Sequence, residues 1–285
     1  MRARDEITSS RGAEGGADAK KSVSARSAAE EIGPASAGPI SSHALSRSPD
    51  ITVVIPARDE AESVGGVVEA VARALAGEAH EILVVDDGSV DGTGERARAA
   101  GARVIRREGL GYGAAIKAGA AEARGAFLAI LDADGTYPEA DLPKLVRALR
   151  GGARQAIGAR PASSGSESLA RSAIKTAFRG AVLWFGGLAV PDLNSGMRAL
   201  RTRDLLALSS ILPDRFSLTT TLTLALAAEG DPPVFIPIDY RPRAGRSKWR
   251  TVRDTWLMGR TVLRGIGWLR HGHAPKALPA VEVAG

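Results

Sequence analysis

The sequence predicts an α/β protein with a mostly parallel, doubly wound sheet and helices on both of its faces. Short apolar runs alternate along the chain with segments of helical spacing, as in strands joined by crossover helices. The run 51–55 consists entirely of β-branched residues, which suits a parallel strand buried on both faces. Aromatic residues make up only 4% of the chain, so the core must be built mainly from Ala, Val, Leu and Ile.

The first half of the chain carries the clearest alternation. Strands are predicted at 51–56, 81–86, 102–106, 127–131 and 156–159, and helices at 62–75, 91–100, 113–123 and 138–150. Pro138 suits the first turn of its helix, where a missing N–H costs nothing.

The second half is less regular. Helices are predicted at 168–188 and 218–228, with a loop at 190–196 between them. The run 234–240 suits an edge strand, because Pro237 cannot donate to a ladder. A basic helix with an apolar stripe is predicted from Trp249 to Leu269.

The organisation follows from these elements. Residues 1–49 hold almost no large apolar side chain and predict a disordered tail. We expect one domain over 50–248, an amphipathic helix over 249–272 and a flexible tail over 273–285. The sequence contains no secretory signal and no run of 18 apolar residues, so we expect a cytoplasmic protein without a membrane-spanning helix.

Composition narrows the chemistry. The chain of 285 residues has no cysteine, which excludes disulfides, thiolate zinc sites and a cysteine nucleophile. Its net charge is +6 and its pI is near 10.0, values that favour anionic partners. A nucleic-acid-binding or scaffold protein is the remote alternative, but basic stripes with interleaved aromatics are lacking. We therefore expect no nucleic-acid partner.

Acidic residues follow three of the predicted strands. They are Glu60 after the first strand, Asp86 and Asp87 after the second, and Asp132 and Asp134 after the fourth. Ligands of doubly wound sheets bind outside the carboxyl ends of the strands. The shared position therefore favours a ligand site over three unrelated turns.

The pair Asp132 and Asp134 has two interpretations. Carboxylates one residue apart at a strand end can face one hard cation, such as Mg²⁺ or Mn²⁺, that also binds substrate phosphates. Alternatively, Asp132 caps the next helix and Asp134-Gly135 forms a turn. Thr136 is a short, weak ligand, so a third protein ligand is doubtful.

The glycines of 109–113 resemble a dinucleotide fingerprint, but their context differs. That fingerprint follows the first strand of its fold, whereas the first strand here ends in Pro56-Ala-Arg-Asp. Close packing of the helix that begins near Gly113 explains these glycines better.

Six motifs occur in the order seen in family-two glycosyltransferases. They are Pro56-x-x-x-Glu60, Asp86-Asp-Gly-Ser89 with Asp91-Gly-Thr93, Gly111-x-Gly113 with Lys117-x-Gly119, Asp132-Ala-Asp134, Asp192-Leu-Asn-Ser-Gly196-x-Arg198, and Arg243-Ala-Gly-Arg-Ser247-Lys248. The set covers roughly 51–250 and resembles the branch of dolichol-phosphate mannose synthases and polyprenyl-phosphate sugar transferases. The resemblance implies a GT-A fold and a nucleotide-sugar donor.

The resemblance also implies roles for individual residues. The base and ribose would be contacted by Pro56, Arg58, Glu60 and Asp87. The cation would be held by Asp132 and Asp134, with Ala133 beside the sugar nucleotide. A loop with Arg243, Ser247 and Lys248 would close on the diphosphate. Asp134, Arg243 and Lys248 are the implied catalytic residues. The loop is one residue shorter than in dolichol-phosphate mannose synthases, which weakens the assignment of Arg243 more than that of Lys248.

A phosphate acceptor is indicated by three basic residues. Arg171 and Lys175 are spaced i and i+4 and share a helix face, and the resemblance matches Arg160 and Arg171 to a lipid-phosphate site, with Lys175 in place of a Ser. An ordinary solvated helix face is the alternative. The resemblance implies an inverting enzyme that uses polyprenyl phosphate, with the helix 249–272 lying peripherally on the membrane. If that helix instead packs on the domain, a soluble transferase for a glycan or small-molecule acceptor gains support.

Overall fold

The structure is a computed structural model, and it describes residues 48–161, 169–241 and 251–272. The strands of these residues are β1 (Ile51–Ala57), β2 (His80–Asp86), β3 (Arg103–Arg106), β4 (Phe127–Ile130), β5 (Gln155–Ala159), β6 (Arg198–Arg201) and β7 (Val234–Pro237). The helices are α1 (Val64–Ala74), α2 (Thr93–Ala99), α3 (Tyr112–Glu122), α4 (Leu142–Arg150), α5 (Leu169–Gly186), α6 (Thr202–Leu208), α7 (Leu218–Ala228) and α8 (Thr251–His271).

The strands form one mixed sheet in the order β3-β2-β1-β4-β6-β5-β7. Strand β6 is antiparallel to its neighbours β4 and β5, and the remaining pairs are parallel. The predicted fold class is confirmed, including β7 as an edge strand. Because β1, β2 and β4 are parallel, their carboxyl ends meet at one edge of the sheet.

Strand β6 and helix α6 lie where the sequence predicted no regular element. The run Arg198-Ala-Leu-Arg201 contains no β-branched residue and has a charge at each end, so it does not resemble a central strand. Arg198 is nevertheless fully buried. Its guanidinium donates to the carbonyl oxygens of Ser195 and Thr219 and to the hydroxyl of Thr223, and these bonds offset its desolvation.

Two apolar layers cover the faces of the sheet. Helices α1, α2 and α4 pack on one face, and α3, α6 and α7 pack on the other. Successive residues of β1 alternate between the layers: Val53 and Ile55 belong to the first and Val54 to the second. Each such fully buried side chain contributes about 1.5–3 kcal/mol. The strands whose carboxyl ends meet at one edge of the sheet are therefore anchored on both faces.

Helix α8 packs on α7 and α5. Val262 and Ile266 are buried there. A Cβ at Gly265 would overlap the side chain of Leu224, so this close contact favours glycine. The packed arrangement is the one that the sequence left as an alternative. Across the described ranges, no helix is long and apolar enough to cross a bilayer.

Candidate active site

The loops after β1 and β2 are joined at one edge of the sheet. The Asp59 amide donates to Ser89 Oγ over 3.0 Å, and the Glu60 amide donates to Thr93 Oγ1 over 2.9 Å. Asp59 adopts a left-handed φ of 51°, which turns the chain sharply after the strand. The first two acidic strand ends are therefore neighbours, as their positions in the sequence indicated.

Three residues predicted to contact the nucleotide follow one another along the end of β1. Pro56 is buried within the strand and pairs with Val85 of β2. Arg58 is exposed and Glu60 is partly buried. All three lie at the edge formed by the carboxyl ends of β1, β2 and β4, called the ligand edge below, and their contacts with a nucleotide stay predictions.

Asp87, the fourth residue predicted for the nucleotide, holds a loop. One carboxylate oxygen accepts from the Leu110 amide over 2.8 Å, and the other accepts from the Gly111 amide over 2.9 Å. Asp86 is the last residue of β2 and accepts from the Ser89 amide over 2.8 Å. Asp87 therefore sets the position of the segment that leads into α3.

The pair Asp132 and Asp134 directly follows β4. The phenol of Tyr112 donates to Oδ1 of Asp132 over 2.8 Å. Both the amide and the hydroxyl of Thr136 donate to Oδ1 of Asp134, over 3.1 and 2.6 Å. Both carboxylates are partly exposed, whereas Ala133 between them is buried. Thr136 is 1% exposed and orients Asp134 through these bonds.

Tyr112 remains a proton donor. Burial away from water raises the pKa of Tyr112 well above its ordinary value, and the negative charge of Asp132 raises it further. At neutral pH the phenol is therefore protonated. The bond to Asp132 runs from the hydroxyl to the carboxylate.

Gly196 packs directly against Asp132. A Cβ at this position would lie 2.7 Å from both carboxylate oxygens of Asp132, so any other residue here would force the Asp132 side chain to shift. The Gly196 amide donates to the hydroxyl of Tyr137 over 2.7 Å, which fixes the close approach. The segment before β6 therefore forms a wall of the site.

Behind this wall lies the buried Arg198. Its guanidinium holds the Ser195 carbonyl, one residue before Gly196. Burial lowers the pKa of Arg198 to about 10, against the raising effects of Tyr112, Tyr137, Asp192 and Asp132. Arg198 is therefore charged at neutral pH, and its positive charge interacts with the carboxylates of Asp192 and Asp132.

Arg160, which was predicted to bind an acceptor phosphate, forms a bidentate pair with Asp192. Its Nε and Nη2 donate to the carboxylate over 2.6 and 2.8 Å, and its guanidinium lies 5.4 Å from the ring centre of Tyr240. Burial would raise the pKa of Asp192, but the hydrogen bonds and charge of Arg160 outweigh it and lower that pKa. A phosphate that binds Arg160 must compete with this pair.

The remaining predicted residues are only partly placed. Arg171 and Lys175 lie on α5, where their spacing puts them on one helix face, but their side chains lie outside what the structure describes. Arg243, Ser247 and Lys248 lie in 242–250, also outside the described residues. The closing loop thus stays a sequence prediction.

The donor set suits a hard cation. Within 48–161, 169–241 and 251–272, no three His, Asp or Glu side chains form a ready-made metal site. Mg²⁺ is typically held by one or two carboxylates, with substrate phosphates and waters completing the shell. The oxygens of Asp132 and Asp134 match that requirement.

Sequence reasoning missed Tyr112 and Gly196. Tyr112 lies inside the glycine run that was assigned to helix packing, and Gly196 belongs to a motif whose members received no individual roles. An aromatic hydroxyl at the start of a helix facing the ligand edge was the available signal for Tyr112. No local pattern marks Gly196, because its role depends on a contact with Asp132 far away in sequence.

Comparison with known proteins identifies the family of this chain. Residues 52–206 match the profile of the family described as Glycosyl transferase family 2. A dolichyl-phosphate hexose transferase of Haloferax volcanii is 32% identical over 217 residues, covering 75% of this chain and 93% of that protein. A dolichol-phosphate mannosyltransferase of Pyrococcus furiosus is 30% identical, covering 78% of this chain and 62% of its own.

The fold has solved counterparts. A glucosyl-3-phosphoglycerate synthase of Mycobacterium tuberculosis, crystallised with Mn²⁺, UDP and glucosyl-3-phosphoglycerate, aligns with a TM-score of 0.62 and 23% identity, over 77% of this chain and 80% of that one. The same enzyme was crystallised with Mg²⁺ and UDP. This likeness confirms the GT-A fold. From the family profile and the relatives together, the chain belongs to glycosyl transferase family 2 and is a glycosyltransferase.

Proposed function

We propose that this protein is an inverting, metal-dependent glycosyltransferase that moves a hexose from a nucleoside diphosphate to a polyprenyl phosphate. The observation that carries the proposal is the pair Asp132 and Asp134 at the end of β4, on the same edge of the sheet as Asp87 at the end of β2. The relatives named for dolichyl-phosphate transfer support the acceptor class.

The donor would lie along the ends of β1, β2 and β4. In this assignment Pro56, Arg58, Glu60 and Asp87 surround the base and ribose, and Ala133 packs beside the sugar nucleotide. Carboxylates suit this role, because they accept from ring N–H groups and ribose hydroxyls. Asp87 would contribute both directly and through the loop that it holds.

Asp132 and Asp134 would hold Mg²⁺ or Mn²⁺. When bound, the cation supplies positive charge to the diphosphate leaving group. The metal-containing crystals of the structurally similar synthase support this choice of ions. Arg243 and Lys248 add positive charge as the diphosphate departs, and Ser247 donates to it.

Transfer proceeds by direct displacement. An acceptor phosphate oxygen forms a bond to the anomeric carbon, while the bond from that carbon to the diphosphate oxygen breaks and its electron pair leaves with the nucleoside diphosphate. A phosphate monoester is largely ionised near neutral pH, since its second pKa is about 6. No side chain is needed as a general base, and the anomeric centre is inverted.

Arg160, Arg171 and Lys175 would bind the acceptor phosphate. Arg160 is held in place by Asp192 and Tyr240, so the acceptor phosphate would have to compete with Asp192 for its Nε and Nη2 groups. Guanidinium groups suit this task, because they bind phosphate oxygens bidentately.

The outer faces of α5 and α8 support a lipid acceptor. Trp256 and Leu263 are 64% and 71% exposed on α8, and Trp184 is 85% exposed near the end of α5. Arg260 lies 5.6 Å from the ring centre of Trp256, and Arg270 donates to the Phe185 carbonyl over 3.1 Å. Exposed aromatics flanked by arginines suit the interface of an anionic bilayer.

We place the protein peripherally on the cytoplasmic face of a membrane. Co-sedimentation with vesicles of phosphatidylglycerol and phosphatidylcholine at low salt tests this placement. Changing Trp184 and Trp256 to Ser should weaken binding about tenfold, since each buried aromatic contributes free energy at the interface. An unchanged partition, or no binding by wild type, would count against the membrane surface.

A soluble transferase for a small phosphorylated acceptor is the second candidate. The packing of α8 on α7 and α5 and the fold shared with glucosyl-3-phosphoglycerate synthase favour it. Both candidates need the same donor site. They differ only in what binds beside Arg160.

Donor binding is tested first by thermal shift with UDP and GDP, each with and without Mn²⁺. A ligand that binds only the folded state raises the melting temperature by mass action, so the correct nucleotide should give a shift that grows with Mn²⁺. The matching labelled nucleotide sugar is then offered with polyprenyl phosphate or with 3-phosphoglycerate. A product that extracts into organic solvent supports the lipid acceptor, and a water-soluble product alone supports the second candidate.

A further inference from the structure

The side chain of Tyr112 contacts Asp132 on one side and Phe216 on the other. Its hydroxyl donates to Oδ1 of Asp132 over 2.8 Å. Its ring stacks on Phe216, with the centroids 5.4 Å apart and the planes inclined by 20°. The side chain is therefore held at its ring as well as at its hydroxyl.

The backbone of Tyr112 is anchored on its N-terminal side by Asp87. The two residues before Tyr112, Leu110 and Gly111, donate their amides to the two carboxylate oxygens of Asp87. Bonds to an ionised acceptor are stronger than bonds between neutral groups. Asp87 thereby fixes the residue from which the phenol reaches Asp132.

The C-terminal side is anchored by the loop before α7. The amides of Gly113 and Ala114 donate to the Asp214 carbonyl over 2.9 and 3.1 Å. A Cβ at Gly113 would overlap the Pro213 carbonyl oxygen, so the two backbones are in direct contact. The start of α3 has little freedom to move relative to the sheet edge.

We propose that Tyr112 is a positioning residue that sets the orientation of Asp132 for a divalent cation and links it to Asp87 through residues 110–112. The inference rests on the proposed metal site. It assigns a role to a residue that touches neither the nucleotide nor the sugar in the assignment given above.

The physical reason is the rotational freedom of a carboxylate. A partly exposed Asp samples several side-chain torsions, and a cation must select one of them. A phenol held at both ends restricts Oδ1 to one direction before the cation arrives. Partners that orient metal ligands in this way typically change metal affinity by about 10–100-fold when they are removed.

The test measures Mn²⁺ affinity by electron paramagnetic resonance, with the nucleotide that stabilises wild type held at saturation. Tyr112→Phe removes only the hydroxyl and keeps the stack on Phe216. We expect Mn²⁺ binding to weaken about tenfold, with nucleotide binding in the presence of chelator unchanged. Tyr240→Phe is the matched control: it removes a phenol on the Arg160 side and should leave Mn²⁺ affinity at the wild-type value.

Phe216→Leu gives a second variant that retains the hydroxyl. It should weaken Mn²⁺ binding less than Tyr112→Phe does, because the phenol loses its stacked ring but can still donate. Equal Mn²⁺ affinity in wild type and Tyr112→Phe would overturn the role of Tyr112. Failure of wild type itself to bind Mn²⁺ with any nucleotide would instead overturn the proposed metal site, so the two failures are distinguishable.

The link to Asp87 is tested by a double-mutant cycle. Asp87→Asn should also weaken Mn²⁺ binding, because an amide nitrogen faces one of the two backbone N–H groups and loosens residues 110–112. If the effect passes through the phenol, adding Tyr112→Phe costs less than the product of the two single losses. Losses that multiply would overturn the link.

Discussion

The tripeptide Asp-Gly-Thr occurs twice at the ligand edge, as 91–93 and as 134–136, and the two turns are built alike. In each, Oδ1 of the aspartate accepts from both the amide and the hydroxyl of the threonine. The central glycines have left-handed φ values of 88° and 71°. The local chemistry of the two turns is the same.

Their surroundings differ. Oδ2 of Asp91 accepts from the Ala61 amide over 3.0 Å and joins the loops after β1 and β2. Asp134 instead comes two residues after Asp132, whereas the residue two before Asp91 is Ser89. In the proposed site the same turn would serve a ligand rather than the fold, because the carboxylate of Asp132 two residues earlier would give a cation two charged ligands.

Removing the charge of Asp134 tests the ligand side of this comparison and should have the largest effect. In Asp134→Asn the amide oxygen still accepts from Thr136, so the turn is retained, while the charge is lost. We expect sugar transfer to fall about a thousandfold, because several kcal/mol of charge stabilisation depend on the cation. Steady-state transfer and Mn²⁺ titration measure it, and unchanged activity would contradict the metal assignment.

The close contact of Gly196 with Asp132 gives a second test of the ligand side of the comparison. In Gly196→Ala the new Cβ would fall 2.7 Å from both carboxylate oxygens, so Asp132 must move. We expect transfer to fall about a hundredfold, the cost of misplacing a catalytic group by about 1 Å.

Gly66→Ala is the matched control, because no atom lies within 4 Å of a Cβ at Gly66. It should preserve activity and raise the melting temperature slightly, since alanine favours the helix. Equal activity of Gly196→Ala and Gly66→Ala would show that Asp132 does not need its present position.

The comparison also explains what the sequence predicted well. The half of the sheet from β1 to β4 obeys local rules: β-branched runs, helical spacing and acidic strand ends give its elements and its ligand edge directly. A turn was considered at Asp134-Gly135, whereas Asp91 was assigned to a helix over 91–100 that in the structure begins at Thr93. The different surroundings of the two turns were not predicted, because the bond from Ala61 and the wall at Gly196 join residues distant in sequence.

The other half of the sheet was harder for a physical reason. Strand β6 contains a buried arginine whose partners come from α7 and from the segment before β6. Local pattern alone assigns such a charge to the surface. Likewise, the basic residue Arg160 was visible, but its pairing with Asp192 depends on two segments that meet only in the folded chain.

The smallest effect is expected for Asp91→Asn, which changes the turn that joins the loops after β1 and β2. The amide cannot serve both Thr93 and Ala61 as the carboxylate does, so the loops after β1 and β2 lose an anchor. We expect the variant to be less stable by about 1 kcal/mol, a value kept low because the site is exposed, and to keep transfer activity within about threefold, as for changes outside the reacting groups.

The pH dependence of this stability difference between wild type and Asp91→Asn tests whether the charge of Asp91 stabilises the turn. Burial raises the pKa of Asp91, but hydrogen bonds from Thr93 and Ala61 outweigh it and lower that pKa from 3.8. A pKa lowered by folding gives stability that is present above the unfolded-state value and lost as the pH falls through the folded-state value. Urea unfolding of wild type and Asp91→Asn between pH 7 and pH 3 gives the difference between their free energies of unfolding. This difference should be constant above about pH 5 and should shrink below pH 3.8, as the Asp91 carboxylate of wild type loses its charge. A difference of constant size down to pH 3 would mean that the Asp91 carboxylate does not stabilise the turn through its charge.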